Sequence, residues 1–416
     1  MNMNSGIRRA ELLSPAGNPE KLRAAVRYGA DAVYLAGKRF GMRSAADNFT
    51  DGELAEAVEF CHAAGVRVCV AVNVMPRSEE YKELRSFIRY IGSVGADAVI
   101  VSDPGVLFTV REEVPEMEIH ISTQASAVSA KACEAWHALG AKRIVLAREL
   151  TLAEIAEIRR KLDPEIEIEC FVHGSMCIAY SGRCLLSQYY VGRDGTRGEC
   201  AQPCRWNYHT VAFEEEKHPG DPLTAEQYPE GTYVMSSRDT CMIEHIPELC
   251  EAGIDSLKIE GRMKSAYYVA VTANAYRMAL DSWASGDYRY DTAWLDELCS
   301  VSHREYATGF YFTPPGLDAN LVSAPGYIRE KSYIATAIDD AAAGERCRFV
   351  QRNKVSVGDA VELISPGRCG RGFTVAALWG EDGEAIESAP HPQMVFSLAA
   401  PFEIRKGDIL RGGEQK

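Results

Sequence analysis

Short apolar runs rich in valine and isoleucine recur along the chain, each separated from the next by an amphipathic stretch. The runs are ELLSP at 11–15, AVYLA at 32–36, VRVCVAVN at 66–73, AVIVS at 98–102, EIHIS at 118–122, RIVLA at 143–147, IEIECFV at 166–172 and SLKIE at 256–260. Alternation of such runs with helical stretches is the pattern of βαβ units and a parallel sheet. Because the runs lack polar alternation, both faces of each strand are expected to be buried, as in a barrel wall covered by helices. Eight runs predict the eight staves of a (β/α)8 barrel, an α/β fold of the TIM-barrel type, over residues 1–285.

A ninth run, TYVMSS at 232–237, pairs in this reading with NYHTVAF at 207–213 as an antiparallel hairpin. Together with a Cys-rich segment it forms one insertion, 173–241, between stave seven and the helix expected at 243–253. Insertions of this kind sit at the C-terminal face of such a barrel, where active sites are built. The stretch 265–285 has an apolar face at helical spacing and ends before Gly286, a plausible helix stop. Residues 286–330 read as an irregular connector. From 331 to 416 short strands with turn signals predict a small all-β barrel domain.

Polar residues just past the apolar runs are expected at the mouth of the barrel. His173 ends stave seven and suits proton transfer near neutral pH, or it orders the loop that follows. Lys258, Glu260 and Arg262 alternate along and beyond stave eight, either as catalytic and ligand-binding groups or as an internal ion-pair lattice. Arg43, Asn73 and Gln124 occupy corresponding positions after staves two, three and five, either binding substrate or forming a solvated rim. Asp239 is read as the cap of the helix that follows.

Composition adds limits. The chain has 416 residues, 46% of them hydrophobic and 25% charged, which suits a globular protein of two or three domains. It shows neither a secretory leader nor a run long enough to span a membrane, so it is expected to be cytoplasmic. The net charge of -14 excludes a protein that coats nucleic acid by bulk attraction, and any RNA contact must be focused.

Five of the thirteen cysteines fall between Glu169 and Cys204. In a reducing compartment, clustered thiols point to metal rather than disulfides. Cys177 and Cys184 stand seven apart and Cys200 and Cys204 four apart, which leaves an iron–sulfur cluster, zinc or unliganded buried thiols open. Arg183, Arg193, Arg197 and Arg205 are interleaved there with Tyr189, Tyr190 and Trp206. This is a surface for single-stranded RNA such as an anticodon loop, or a set of cations that offsets a cluster's negative charge. Basic stretches at 348–354 and 403–411 extend the RNA-docking expectation to the C-terminal domain.

The residues Glu169, Phe171, Gly174, Ser175, Cys177, Tyr180, Ser181, Gly182, Cys184 and Ser187 resemble the signature of peptidase family U32. The resemblance continues through 11–37, MRSAADNF at 42–49, SSRDTCMIEHI at 236–246, SLKIEGRMKSAYYVA at 256–270 and SHREYATGFYF at 302–312. The last segment and the C-terminal domain are similar to those of the family's tRNA 5-hydroxyuridine modification proteins. That resemblance implies hydroxylation of the tRNA wobble uridine and a 4Fe-4S cluster on Cys177, Cys184, Cys200 and Cys241, with Cys204 the alternative fourth ligand. It also implies prephenate, a small dicarboxylate, as co-substrate, for which Arg43, Lys258 and Arg262 are the expected partners, and it leaves room for a partner protein. Two rivals stand beside it. One is a U32-type collagenase-like protease, although no HExxH, GxSxG or papain-like motif is present. The other is a non-catalytic metal-binding scaffold for RNA or a partner.

Overall fold

The computed structural model describes residues 9–43, 46–206, 208, 236–315 and 326–412. In chain order the barrel region carries β1 (Glu11–Pro15), α1 (Pro19–Arg27), β2 (Ala32–Leu35), α2 (Asp51–Ala63), β3 (Arg67–Val72), α3 (Tyr81–Ser93), β4 (Ala98–Val101) and α4 (Pro104–Glu113). It continues with β5 (Glu118–Ile121), α5 (Ala130–Ala138), β6 (Arg143–Val145), α6 (Leu152–Lys161), β7 (Glu167–Ser175), α7 (Leu186–Val191), β8 (Asp239–Cys241), α8 (Ile246–Glu251), β9 (Ser256–Ile259) and α9 (Ala266–Ala284). Neighbouring staves are parallel from β1 to β7, and β9 closes the ring by pairing with both β1 and β7. The eight expected staves are therefore the eight strands of the barrel.

Local sequence fixes the helix starts. Thr50 and Glu53 form a reciprocal capping box on α2, as Thr151 and Glu154 do on α6. Asp103 caps α4, with Pro104 in its first turn. Each such cap contributes about 1 kcal/mol. The strands bury both faces, β3 showing five fully buried residues in succession, and the outward face packs under the helices in one continuous core.

The inside of the barrel departs from the apolar expectation. A small apolar layer, including Leu13, Tyr34, Cys69 and Ile100, sits above a buried ionic one. There Arg143 contacts Glu11 at 2.5 Å, Glu167 at 2.7 Å and Glu169 at 3.3 Å. Lys258 meets Glu169 at 2.6 Å, and Glu118 joins Arg67 and His120, each at 2.8 Å. Most of these charges stand at or near the first residue of a stave, where a lone charge reads in sequence as a solvated end.

Between β7 and α8 the chain leaves the barrel and returns as β8, antiparallel to the end of β7. The expected hairpin of 207–213 and 232–237 lies outside the described residues, Tyr208, Ser236 and Ser237 apart. Asp239 does not cap a helix: it lies on β8 and holds Arg304 at 2.6 Å. The stretch 286–330 is more ordered than an irregular connector, containing α10 (Thr292–Cys299) and β10 (Tyr306–Ala307), which extends β8.

From Ser332 onward an eight-stranded antiparallel sheet curls as a half-barrel around its own core, with Phe349 stacked on Phe396. Its Arg411 is buried against Glu297 of α10, and Arg27 of α1 bonds Asp408. Among the described residues, no helix is long and apolar enough to cross a membrane.

Candidate active site

At the C-terminal ends of the staves lies a cavity of about 600 Å³, counted out to its open mouth. Arg43, Asn73, Gln124, Lys258, Glu260 and Arg262 all line it, together with Cys177 from the Cys-rich segment. Arg148, just past β6, lines it too; sequence reasoning missed it, although it carries the same signal of a polar residue following an apolar run. Its guanidinium lies 3.9 Å from the Phe171 ring centre and donates to the Ser175 carbonyl at 2.6 Å.

Hydrogen bonds fix most of the wall. Asn73 donates to Gln124 at 2.6 Å and accepts from the Met42 amide at 3.0 Å, while Tyr34 donates to the Ile259 carbonyl at 2.9 Å. Arg43 has a positive φ of 129°, a conformation rarely held by a residue with a side chain, and it stands 3.8 Å from Glu260. Strain of this kind persists only where the surroundings impose it.

Three buried donors around the cavity have no acceptor among the described residues: Gln124 Nε2, Arg148 Nε and Arg262 Nη1. Buried N–H groups are nearly always paired, so three orphans on residues that line one cavity fit a place where a ligand would supply acceptors. The charge balance agrees in sign. Arg43, Arg148 and Arg262 surround Glu260, and Lys258 is already committed to Glu169. Burial alone would raise the Glu260 carboxyl, but Arg43, Arg148, Arg262 and Lys258 reverse this and hold it below the usual carboxylate range. Burial pushes Arg262 down from its ordinary value, the direction a bound anion would offset.

The thiols flank this mouth. Cys177, Cys184 and Cys204 are half-buried and Cys200 is exposed. Burial raises Cys204, and Cys177, Cys200 and Cys184 add to the rise through mutual repulsion. Four thiols are the donor set an iron–sulfur group takes, and its cationic iron–sulfide core would relieve that repulsion. Among the described residues, no three His, Cys, Asp or Glu side chains stand close enough to share one metal ion. The segment is pinned to the barrel by Arg197, bidentate to Glu80 at 2.7 and 2.9 Å, and by Gly182. A β-carbon on Gly182 would come within 3.0 Å of Gln124, and its φ of 76° also favours glycine.

Several expectations change. Cys241 is not among these thiols: it faces Tyr276 and Cys299 beneath α9, and burial pushes its thiol up to about 12. Cys204, rather than Cys241, stands near Cys177, Cys184 and Cys200. His173 does not reach the mouth, because the register of β7 against β9 slips by one residue between Phe171 and His173. Such a bulge turns the side chain to the other face. It packs among Tyr268, Tyr276 and Tyr306, and burial lowers its pKa to about 3 despite the opposing pull of Asp239. A ring kept neutral in this way is a poor proton shuttle near neutral pH. Lys258, expected as a ligand-binding or catalytic group, is the internal ion-pair partner of Glu169, though its stem still lines the cavity. Arg183 is exposed and bonds Ser126 at 2.9 Å, away from the cavity. Arg205 lines an adjoining hollow instead.

Peptidase family U32 matches residues 17–320, and the peptidase family U32 C-terminal domain matches 329–411. A tRNA hydroxylation protein of Bacillus subtilis is 37% identical over 98% of this chain and 96% of its own length. An uncharacterized protease of Methanocaldococcus jannaschii is 42% identical over 73% of each chain. A 23S rRNA 5-hydroxycytidine synthase of Escherichia coli is 36% identical over 67% of this chain and 40% of its own length. With a matching barrel, a matching C-terminal domain and a relative aligned almost end to end, this chain belongs to peptidase family U32.

Proposed function

We propose that the protein is an iron–sulfur-dependent RNA hydroxylase that acts on the tRNA wobble uridine at carbon 5, with prephenate as its small dicarboxylate co-substrate. The observation that carries this reading is the trio of unpaired donors, Gln124 Nε2, Arg148 Nε and Arg262 Nη1, around one cavity beside four thiols. Guanidinium groups bind carboxylates with directional, charge-assisted hydrogen bonds, and two of the three donors are of that kind. End-to-end similarity to a protein named for tRNA hydroxylation supports the RNA substrate over a peptide.

Cys177, Cys184, Cys200 and Cys204 would hold the cluster, which supplies electron transfer when bound. The chain's own residues do the rest. Arg262, Arg148 and Gln124 orient the dianion, Arg43 and Glu260 shape the opening, and Phe171 and Tyr34 offer aromatic faces to a base. Glu260, held ionised, positions Arg43 and Tyr34 rather than donating a proton.

The test is anaerobic incubation of cluster-loaded protein with an unmodified tRNA transcript and prephenate, followed by nucleoside mass spectrometry. Formation of 5-hydroxyuridine at the wobble position only when prephenate is present is the expected outcome. A fully loaded protein that leaves the transcript unmodified would sink the reading.

A further inference from the structure

Beyond the wall made by Arg43 and Glu260 lies a second hollow, lined further by Arg205, Lys264, Tyr327 and Arg329. Three separate parts of the chain converge there: the Cys-rich segment, the turn between β9 and α9, and the stretch that follows β10. Lys264 donates to the Ser302 carbonyl at 3.0 Å and lies 4.8 Å from the Tyr327 ring centre. Arg205 donates to Gln202 at 3.0 Å, but its Nε is buried with no acceptor among the described residues.

The charge in this hollow is not balanced from within. Among the described residues, Glu260 is the one carboxylate in its lining, and it already faces Arg43. Asp239, which also bears on Lys264, is bonded to Arg304 at 2.6 Å. Among the described residues, four cations against one carboxylate stand out in a chain whose net charge is -14. A concentrated cationic hollow in an acidic protein is the form a focused phosphate contact takes.

The hollow and the mouth cavity adjoin at Arg43 and Glu260, so a chain lying across that wall can reach both. Tyr327 and Met263, each nearly half exposed, stand at the outer side of the hollow and offer an open apolar edge. A nucleotide chain has this shape: an inserted base, an adjoining phosphate, and a neighbouring base free to stack. We propose that the hollow of Arg205, Lys264 and Arg329 binds an RNA phosphodiester, the one next to the nucleotide whose base enters the mouth cavity. This rests on the RNA reading above and adds the backbone contact that positions the substrate.

The experiment is fluorescence anisotropy of a fluorescein-labelled, unmodified anticodon stem-loop with full-length, anaerobically purified protein across a salt series. Arg329→Gln and Lys264→Met are compared with wild type, and melting curves confirm folding. Arg329 is exposed, so its variant tests the idea even if Lys264→Met does not fold. The expected result is affinity about tenfold weaker for each variant. The salt slope should fall by about 0.7 for each lost contact to single-stranded phosphate. Arg329→Lys should restore the slope, and Tyr327→Ala should weaken binding without changing it. Prephenate titrated calorimetrically should bind wild type and Arg329→Gln alike. Wild-type RNA binding with unchanged slopes in both variants overturns the phosphate site while leaving the RNA reading intact. If Arg329→Gln instead loses prephenate binding and keeps RNA binding, the hollow belongs to the co-substrate and the proposal fails. No RNA binding by wild type overturns the RNA reading and this proposal with it.

Discussion

The barrel interior has two ends, and both are crowded with charge. At the lower end each cation has its carboxylates: Arg143 holds Glu11, Glu167 and Glu169, and Lys258 closes on Glu169. At the upper end, a few residues along the same staves or just past them, Arg148, Arg262 and Gln124 keep buried donors unpaired. Similar side chains thus do different jobs. A saturated lattice is tolerated in the fold because its desolvation is offset from within, and the loss of one member leaves the others stranded. An unsaturated set leaves that offset to a ligand, and the difference separates architecture from function without reference to residue type.

The largest effect is expected of Arg143→Met. It strands buried carboxylates and should destabilise the protein by about 3–5 kcal/mol in denaturant unfolding, or prevent folding. Normal stability would show that the lower lattice is not structural. Lys258→Met comes next. Because Glu169 keeps Arg143, the loss should be nearer to about 3 kcal/mol, read from the melting curve, with prephenate binding largely retained. Were binding abolished in a variant of unchanged melting temperature, Lys258 would belong to the upper set.

The thiols offer a parallel contrast. In anaerobically prepared protein, Cys204→Ala should lose most of its iron while keeping its helix content by circular dichroism. Cys241→Ala should keep its iron and lose about 1–2 kcal/mol of stability from a small vacated volume beneath α9. The reverse pattern of iron content would restore Cys241 as the ligand.

The smallest effect concerns His173. Its folded pKa, lowered to about 3 by burial, lies below the unfolded value of about 6.5. The neutral ring therefore contributes stability that is fully present above about pH 6.5 and is lost as pH falls toward 3. His173→Phe should flatten that acid-side loss in a series of unfolding curves. The pH dependence of hydroxylation between about 6 and 8 should keep its shape in His173→Gln. A wild-type inflection in that range that disappears in the variant would return His173 to the chemistry.

The staves and most mouth positions were legible because they follow from local pattern: apolar runs mark strands, and polar residues just beyond them mark the rim. Arg43, Asn73, Gln124 and Arg262 were found in this way, and Arg148 carries the same mark. Properties set by tertiary geometry were not legible. A one-residue slip on β7 reverses His173, and no local feature of IECFVHGS announces it. Cys204 and Cys241 look equally suited to a cluster until β8 turns the latter under α9. The ionic layer was hidden because Glu11, Arg143 and Glu167 look like the solvated ends of strands.

The unpaired donors at the mouth are read as a dianion site. Calorimetric titration of prephenate into wild type and Arg262→Met tests it most directly, since Arg262 bonds the Met42 carbonyl on one side and leaves Nη1 free on the other. Binding to wild type, weakened by about 2–5 kcal/mol in a variant that melts within a few degrees of it, is the predicted result. Equal binding by the two proteins, or a collapse of stability in Arg262→Met, would contradict it.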